Sequence, residues 1–331
     1  MASIITRRFV LASATALGVG APRLAHAATR IVRIGHNNAD NSSFDQGCKV
    51  FAAAVAADPT LSPVLRIEVH GNAELGDELA MLKALIDGTL DMALTSTATV
   101  GNFVPEAGLL DAPFLFKTVA SARAALDGAT GVEFAGLLKT KNLNVLAWGE
   151  NGLRHITANR PIRGPADLHG LKIRVPQSDV ELSSFRALGA DAQPLAYGAL
   201  YEALRTGRVD AQENPISIIE ATKLQEVQKY LSLTGHIYSP LFIAASSDLM
   251  EDLTEPQRAA LTACAKQGAA RTRVVSEAAQ RDGVGRLTAA GMVLVQDVDI
   301  PAFIAAARPN MEVLGAKYGA DRMQRLIAAG A

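Results

Sequence analysis

The chain has 331 residues, 32 basic against 33 acidic side chains, a formal charge of −1 and only two cysteines. That balance offers no basic surplus for a nucleic-acid partner. Cys48 and Cys264 lie far apart in Ala-rich stretches that suit buried thiols, although an oxidising compartment would also allow a bridge.

The chain opens with Arg7-Arg8, the apolar run Phe9 to Val19, and Ala25-His26-Ala27, the three parts of a secretory signal peptide over residues 1–27. The leader reads as an ordinary Sec signal, or as a twin-arginine one with Val10 where that pattern usually has Phe. Its removal would leave 29 basic residues against 33 acidic ones, a formal charge of −4. No later run is long and apolar enough to span a bilayer, so a periplasmic destination is expected. The remaining length suits one large or two medium domains.

Strand and helix signals then alternate. Ile31 to Gly35, Leu65 to Val69 and Leu90 to Thr95 read as strands, with Phe44 to Ala57 and Leu75 to Asp87 as intervening helices. Such alternation predicts βαβ units and a largely parallel sheet. Further strands are expected at Leu143 to Trp148, His155 to Ala158, Leu171 to Val175, Val209 to Gln212, Tyr230 to Thr234 and Leu241 to Ser246. Two sheets, hence two lobes joined by short strand-like crossings, is the economical grouping. Thr254, Glu255 and Pro256 mark a helix start, and the next proline is Pro301. A continuous helix over 254–290 would run about 50 Å and could serve both lobes. The alternative is two helices broken near Gly268 or at Asp282-Gly283.

In "HGLKIRVPQS", Leu171, Ile173 and Val175 alternate with Lys172 and Arg174 before Pro176. Arg174 therefore faces water, or stands at the carboxyl end of a sheet strand, where open α/β sheets place their ligands. Arg154 precedes it by 20 residues and Asn214 follows it by 40. Two arginines and an amide with no anion noted among them offer the chemistry of carboxylate capture, since a guanidinium presents a planar fork to a carboxylate. Arg154 could instead pair with Glu150 at the surface, and Asn214 before Pro215 could cap a helix.

The runs "AELGDELAMLKALIDGTLDMAL", "GLRHITANRPIRGPADLHGLKIRVPQS", "LYEALRTGRVDAQENP" and "LTGHIYSPL" resemble the DctP-type solute-binding proteins of TRAP transporters, the tripartite ATP-independent periplasmic systems. The likeness covers nearly the whole chain after the leader. It implies a bilobal α/β clamp, two mixed or parallel sheets flanked by helices, with a long helix spanning both lobes. Lobe I would comprise residues 28–151 and about 240–270, and lobe II residues 152–239 and about 280–331. The resemblance also implies Arg174 as the principal carboxylate ligand, Arg154 as a second cation, Asn214 as the amide that orients it, Tyr197 as an aromatic lining the pocket, and Asn37 as a polar contact from the other lobe.

His36, Asn72, Ser96, Thr97 and Phe114 complete the expected first-lobe surface, rich in neutral hydrogen-bonding groups that suit a sugar acid or hydroxy acid. Glu150 and His236 are further candidates; His236 and Tyr238 either approach the cleft or pack between lobes. The sequence departs from the family where Leu79, and not arginine, follows Glu78. Ser96 and Thr99 stand where the sialic-acid-binding branch carries Glu and Arg, which argues against sialic acid. Expected partners are a small carboxylate and the membrane permease, with a monomeric receptor, no cofactor and no metal. Rival readings are a receptor for an aromatic or aliphatic carboxylate, a ligand-sensing module, and a secreted hydrolase; the last lacks a G-x-S-x-G elbow or an H-E-x-x-H helix.

Overall fold

A computed structural model describes residues 29–331; the leader expected at 1–27 lies outside the described residues. Nine strands are present among the described residues: β1 Arg30–Gly35, β2 Leu65–His70, β3 Met92–Ser96, β4 Asn144–Ala158, β5 Lys172–Val175, β6 Asp191–Pro194, β7 Ala211–Pro215, β8 Tyr230–Ala245 and β9 Val293–Val295. They form one continuous array in the order β2-β1-β3-β8-β4-β7-β5-β6, with β9 on the outer part of β8.

The two expected sheets are the two ends of this array. Each of the segments read separately as 143–148 and 155–158, or as 230–234 and 241–246, is one end of a single long strand. β4 and β8 run antiparallel from Asn144 beside Ala245 to Ala158 beside Tyr230, so both lobes hang on the same two strands. On one side β1 is parallel to β2 and β3; on the other β5 is parallel to β6 and β7. The array is broken by register shifts between Glu150 and Gly152 and between Arg154 and Ile156, where the strands pass from one lobe to the other. Such bulges bend a strand and raise its twist. Gly152 takes φ of +122° there, and an added Cβ would lie 2.7 Å from Ser276 Oγ, so the crossing needs a residue without a side chain.

The long helix starts where the sequence indicated. Gln257 Oε1 accepts from Thr254 N at 2.9 Å, with Pro256 in the first turn. It runs as an α-helix over Glu255–Ala278, passes through a π-turn at Ala279–Gly283, and resumes over Val284–Ala289. The irregularity falls at Asp282-Gly283 and does not end the helix. Its buried stripe is Leu261, Cys264, Ala265, Gly268, Ala269, Thr272 and Ser276; Val274 is exposed, because the stripe follows small residues that admit close approach. The helix lies on β4 and on the first helix, Ser43–Ala57, then meets Ile216–Ala221 of the second lobe at its π-turn. It therefore spans both lobes.

The expected second lobe extends to residue 331, but the last helix, Ala320–Ala329, packs against Val119–Asp127 of the first lobe. Lys117 N donates to Gly330 O at 2.8 Å, and Arg322 and Arg325 pair with Glu133. Cys48 and Cys264 are both buried free thiols. Among the described residues no helix is long and apolar enough to cross a membrane.

Gly268 is the point of closest approach between the long helix and the first one. A Cβ there would meet Gly47 O at 2.7 Å and Phe51 Cβ at 2.9 Å. An alanine gains about 1 kcal/mol in helix propensity, but overpacking a tight contact costs about 1–3 kcal/mol. Gly268→Ala is expected to lower the melting temperature, the obstructing backbone oxygen having nowhere to move; an unchanged or raised midpoint in a thermal melt would contradict this packing.

Candidate functional site

The carboxyl ends of the parallel strands β5 and β7 point to the lobe crossing, together with the end of β1 and the end of β3. A narrow cavity of about 30 Å³ lies between them, well below the roughly 300–1,000 Å³ of an open ligand pocket. The first lobe supplies Asn37, Asn38, Phe44, Glu78 and Ser96 to its wall. The second supplies Arg174, Pro176, Tyr197, Asn214 and Ile218, and the crossing strand β4 adds Asn151 and Arg154.

β5 is buried on both faces from Ile173 onward, so Arg174 is interior and only Lys172 meets water. Its guanidinium is held at one edge, where Nε and Nη2 donate to Leu195 O at 3.0 and 2.7 Å. No carboxylate pairs with it among the described residues, and Nη1 has no protein partner. Burial pushes its pKa down to about 10, against the opposing pull of Glu213 and with the added push of Arg154.

Arg154 stands differently. The pairing of β4 with β7 sets it opposite Pro215, on the face that Glu213 shares. It grips the Glu213 carboxylate through both Nε and Nη2, and Nη2 also donates to Glu213 O at 2.9 Å and Asn214 Oδ1 at 3.3 Å. An anion thus sits directly beside the two arginines, contrary to the sequence reading: it is the residue before Asn214, which the alternation of β7 turns toward Arg154. Arg154 does not pair with Glu150. Burial opposes ionisation of Glu213, but Arg154 and His236 hold it down to about 2. Asn214 caps no helix; its Nδ2 donates to Gln212 Oε1 at 2.6 Å while its Oδ1 braces Arg154.

Six of the twelve expected side chains, Arg174, Arg154, Asn214, Tyr197, Asn37 and Ser96, line the cavity, and the other six do not. Tyr197 is anchored by a hydroxyl contact with Thr222. Ser96 Oγ donates to Glu78 Oε1 at 2.9 Å. His36 is fully buried beneath Gly71, 3.7 Å from Asp45 Oδ1, and burial lowers its pKa. Asn72 is exposed, in the left-handed region at φ +52°, with Nδ2 on Asp40 Oδ1. Thr97 is buried one residue beyond the cavity wall, and Phe114 packs into the second-lobe core with its N–H on His236 O.

Glu150 turns to the opposite face of β4. There Arg123 forks onto it at 2.6 and 2.9 Å and Tyr238 Oη donates to it at 3.0 Å. His236 stands behind Glu213, with Nε2 3.1 Å from its Oε2 and Phe185 edge-on at 5.3 Å. Neither His236 nor Tyr238 lines the cavity: His236 meets Glu213, Thr234 and Phe185, while Tyr238 packs on Glu150 and Phe116. Sequence reading did not assign Asn38, Phe44, Glu78, Asn151, Pro176 or Ile218 to the cavity; Asn38 and Asn151 neighbour residues it did weigh, but strand ends and helix starts leave no periodic signal for which side chain faces a cleft.

A second set of acids lies behind the cavity. Asp111 and Glu181 are fully buried, and none of their four carboxylate oxygens has a hydrogen-bond partner. Burial, reinforced by Glu213 and Glu78, pushes Asp111 up to about 7, and burial, reinforced by Glu213 and Asp111, pushes Glu181 well above the usual range, with Arg154 opposing both. Among the described residues no group of three or more His, Cys, Asp or Glu is placed to hold a metal.

The sequence profile of the bacterial extracellular solute-binding proteins, family 7 (DctP), matches residues 34–317. The chain belongs to this family of TRAP-transporter receptors. It is 36% identical over 267 residues to the 2,3-diketo-L-gulonate-binding periplasmic protein of Escherichia coli, covering 78% of this chain and 80% of that one. A TRAP periplasmic solute-binding protein of Polaromonas, solved bound to D-erythronate, superposes with a TM-score of 0.88 at 34% identity, over 91% of this chain and 99% of that one. The sugar acid binding protein of Advenella mimigardefordensis, in complex with galactonate, gives 0.86 at 33% identity, over 91% and 98%. The DctP chain is thus a periplasmic transport receptor and not an enzyme.

Asp111 offers a test of the buried acids. An acid with a higher pKa folded than unfolded binds its proton more tightly in the folded chain, so stability falls as pH rises from 3.8 to about 7. Asp111→Asn removes that loss. The variant is expected to melt higher than the parent at pH 8 and to lose most of this advantage at pH 4; an advantage independent of pH would contradict it.

Proposed function

We propose that this receptor captures a small hydroxylated organic acid, a sugar acid or short hydroxy acid, by its carboxylate and delivers it to the TRAP permease in the membrane. The observation that carries this reading is the state of Arg174. It is a buried cation in the cavity wall, oriented by a backbone carbonyl and lacking an anion, whereas Arg154 is already neutralised by Glu213. A buried charge without a partner is costly, and a ligand carboxylate supplies what Arg174 lacks. Nη1 of Arg154, likewise without a protein partner, gives the carboxylate a second donor.

The amides of Asn37, Asn38 and Asn151 each offer a donor and an acceptor, which suits ligand hydroxyls. The erythronate and galactonate complexes of the two solved relatives support the same class. Both lobes line the cavity, so a ligand that touches both favours the closed form over any open one. The crossings near Gly152 in β4 and in the facing part of β8 are the proposed hinge, with lobe I as residues 29–151, about 240–270 and the last helix, and lobe II as 152–239 and about 280–319. Ligand release to the permease then follows reopening, and the receptor acts as a monomer.

Charge-assisted hydrogen bonds contribute about 1.5–3 kcal/mol, and an unmatched buried partner costs about 2–5 kcal/mol. By calorimetry with D-erythronate or D-galactonate, whichever raises the melting temperature of the parent, Arg174→Ala is expected to weaken binding at least about thirtyfold, at 1.4 kcal/mol per tenfold. Arg174→Lys restores only part, since an ammonium lacks the planar fork. Arg174→Met should bind no acid yet melt, without ligand, no lower than the parent, because the desolvated guanidinium is a burden on the empty fold. Unchanged affinity in Arg174→Ala would remove the carboxylate anchor.

A further inference from the structure

We propose that Glu78 selects among the acids: its carboxylate, in the wall of the cavity that Arg174 also lines, accepts a hydrogen bond from the far end of the ligand and rejects a second carboxylate there. This rests on the reading of Arg174 as the anchor and narrows the ligand class to hydroxylated monocarboxylates. Glu78 is the first residue of the helix Glu78–Ile86, whose cap is Asp77, with its side chain accepting from Ala80 N. The backbone at Glu78 is therefore fixed.

Its Oε1 accepts from Ser96 Oγ at 2.9 Å, from Ser96 N at 3.3 Å and from Thr95 Oγ1 at 3.4 Å. All three bonds fall on one oxygen. Oε2 has no protein partner among the described residues, and the residue lines the cavity. The protein thus holds the carboxylate in place by one oxygen and leaves the other for a ligand. No cation touches it; Arg174 and Arg154 act on it only through the field.

Burial raises the pKa of Glu78, while the Ser96 bonds and the two arginines oppose the rise. A hydroxyl donor returns what burial removed. A second anion would add to the same penalty, since like charges brought together in a desolvated site repel. Glu78 and Arg174 line the same narrow cavity from opposite lobes, so a ligand held by Arg174 presents its other end to the lobe that carries Glu78. One end therefore takes a carboxylate and the other a hydroxyl.

Matched acid pairs isolate this effect. D-erythronate and meso-tartrate differ by a terminal hydroxymethyl against a carboxylate, as do D-galactonate and galactarate. In calorimetry the parent is expected to bind the monocarboxylate of at least one pair at least tenfold more tightly than its dicarboxylate. Glu78→Gln should narrow that ratio at least tenfold, and Glu78→Asp, which keeps the charge, should preserve the preference. Equal binding of mono- and dicarboxylate by the parent would overturn the proposal even if Glu78→Gln does not fold. So would a Glu78→Gln variant that weakens both members alike. Both outcomes leave the Arg174 anchor standing, whereas failure of the parent to bind any of the four acids overturns the anchor and this proposal together.

Discussion

The buried fork between Arg154 and Glu213 is the contact on which the cleft depends. It fastens β4 to β7 at the lobe crossing, and breaking such a pair by removing one partner costs about 3–5 kcal/mol. It also decides which cation is left over. With Arg154 matched to Glu213 and braced by Asn214, Arg174 is the guanidinium that faces the cavity without an anion. His236 completes the arrangement, with Nε2 on the same Glu213 oxygen that Arg154 Nε grips. A residue that never reaches the cavity wall thereby helps to set its charge.

Two long strands turn this local arrangement into a hinge-ready molecule. Because β4 and β8 each belong to both lobes, the cavity is built at the places where they bulge, and a bulge is where a ladder bends at least cost. The helix over residues 255–289 and the return of the last helix to the first lobe add two more ties across the same gap. The lobes are thus held at several points on one side, while the cavity walls of Asn37, Glu78 and Ser96 on one lobe and Arg174 and Tyr197 on the other meet across a space without covalent crossing.

The alternation of strands and helices from Ile31 to Ser96 was legible in the sequence, as was the start of the long helix at Thr254, since period and capping chemistry are local properties. The helix Leu75 to Asp87 was read too long because Gly76, at φ +104°, and the Asp77 cap delay its start to Glu78. The crossing strands were read as separate pieces because bulges at Glu150 and Arg154 interrupt the alternation by which strands are recognised. Within the site, Arg174 and Asn214 were legible through their place near strand ends, and Arg154 through its family motif. Glu150 and His236 were not placed correctly by sequence proximity, since successive residues of a strand point to opposite faces and a bulge reverses the count.

The sequence by itself determined the fold class, the residue types available to meet an anion and, through its family motifs, the role of a transport receptor. The first two follow from composition, periodicity and spacing and the third from resemblance to the family, none of which needs knowledge of what packs on what. Only the tertiary structure decided which of two arginines is spent internally, that Glu78 stands in the same cavity as Arg174, and that the last helix belongs with the first lobe. Each of those outcomes depends on partners far apart in the chain: Arg154 with Glu213, Glu78 with Ser96, Glu133 with Arg322. Pairing across such distances is set by the packing of whole elements, and a buried charge takes its role from whichever partner that packing brings within reach.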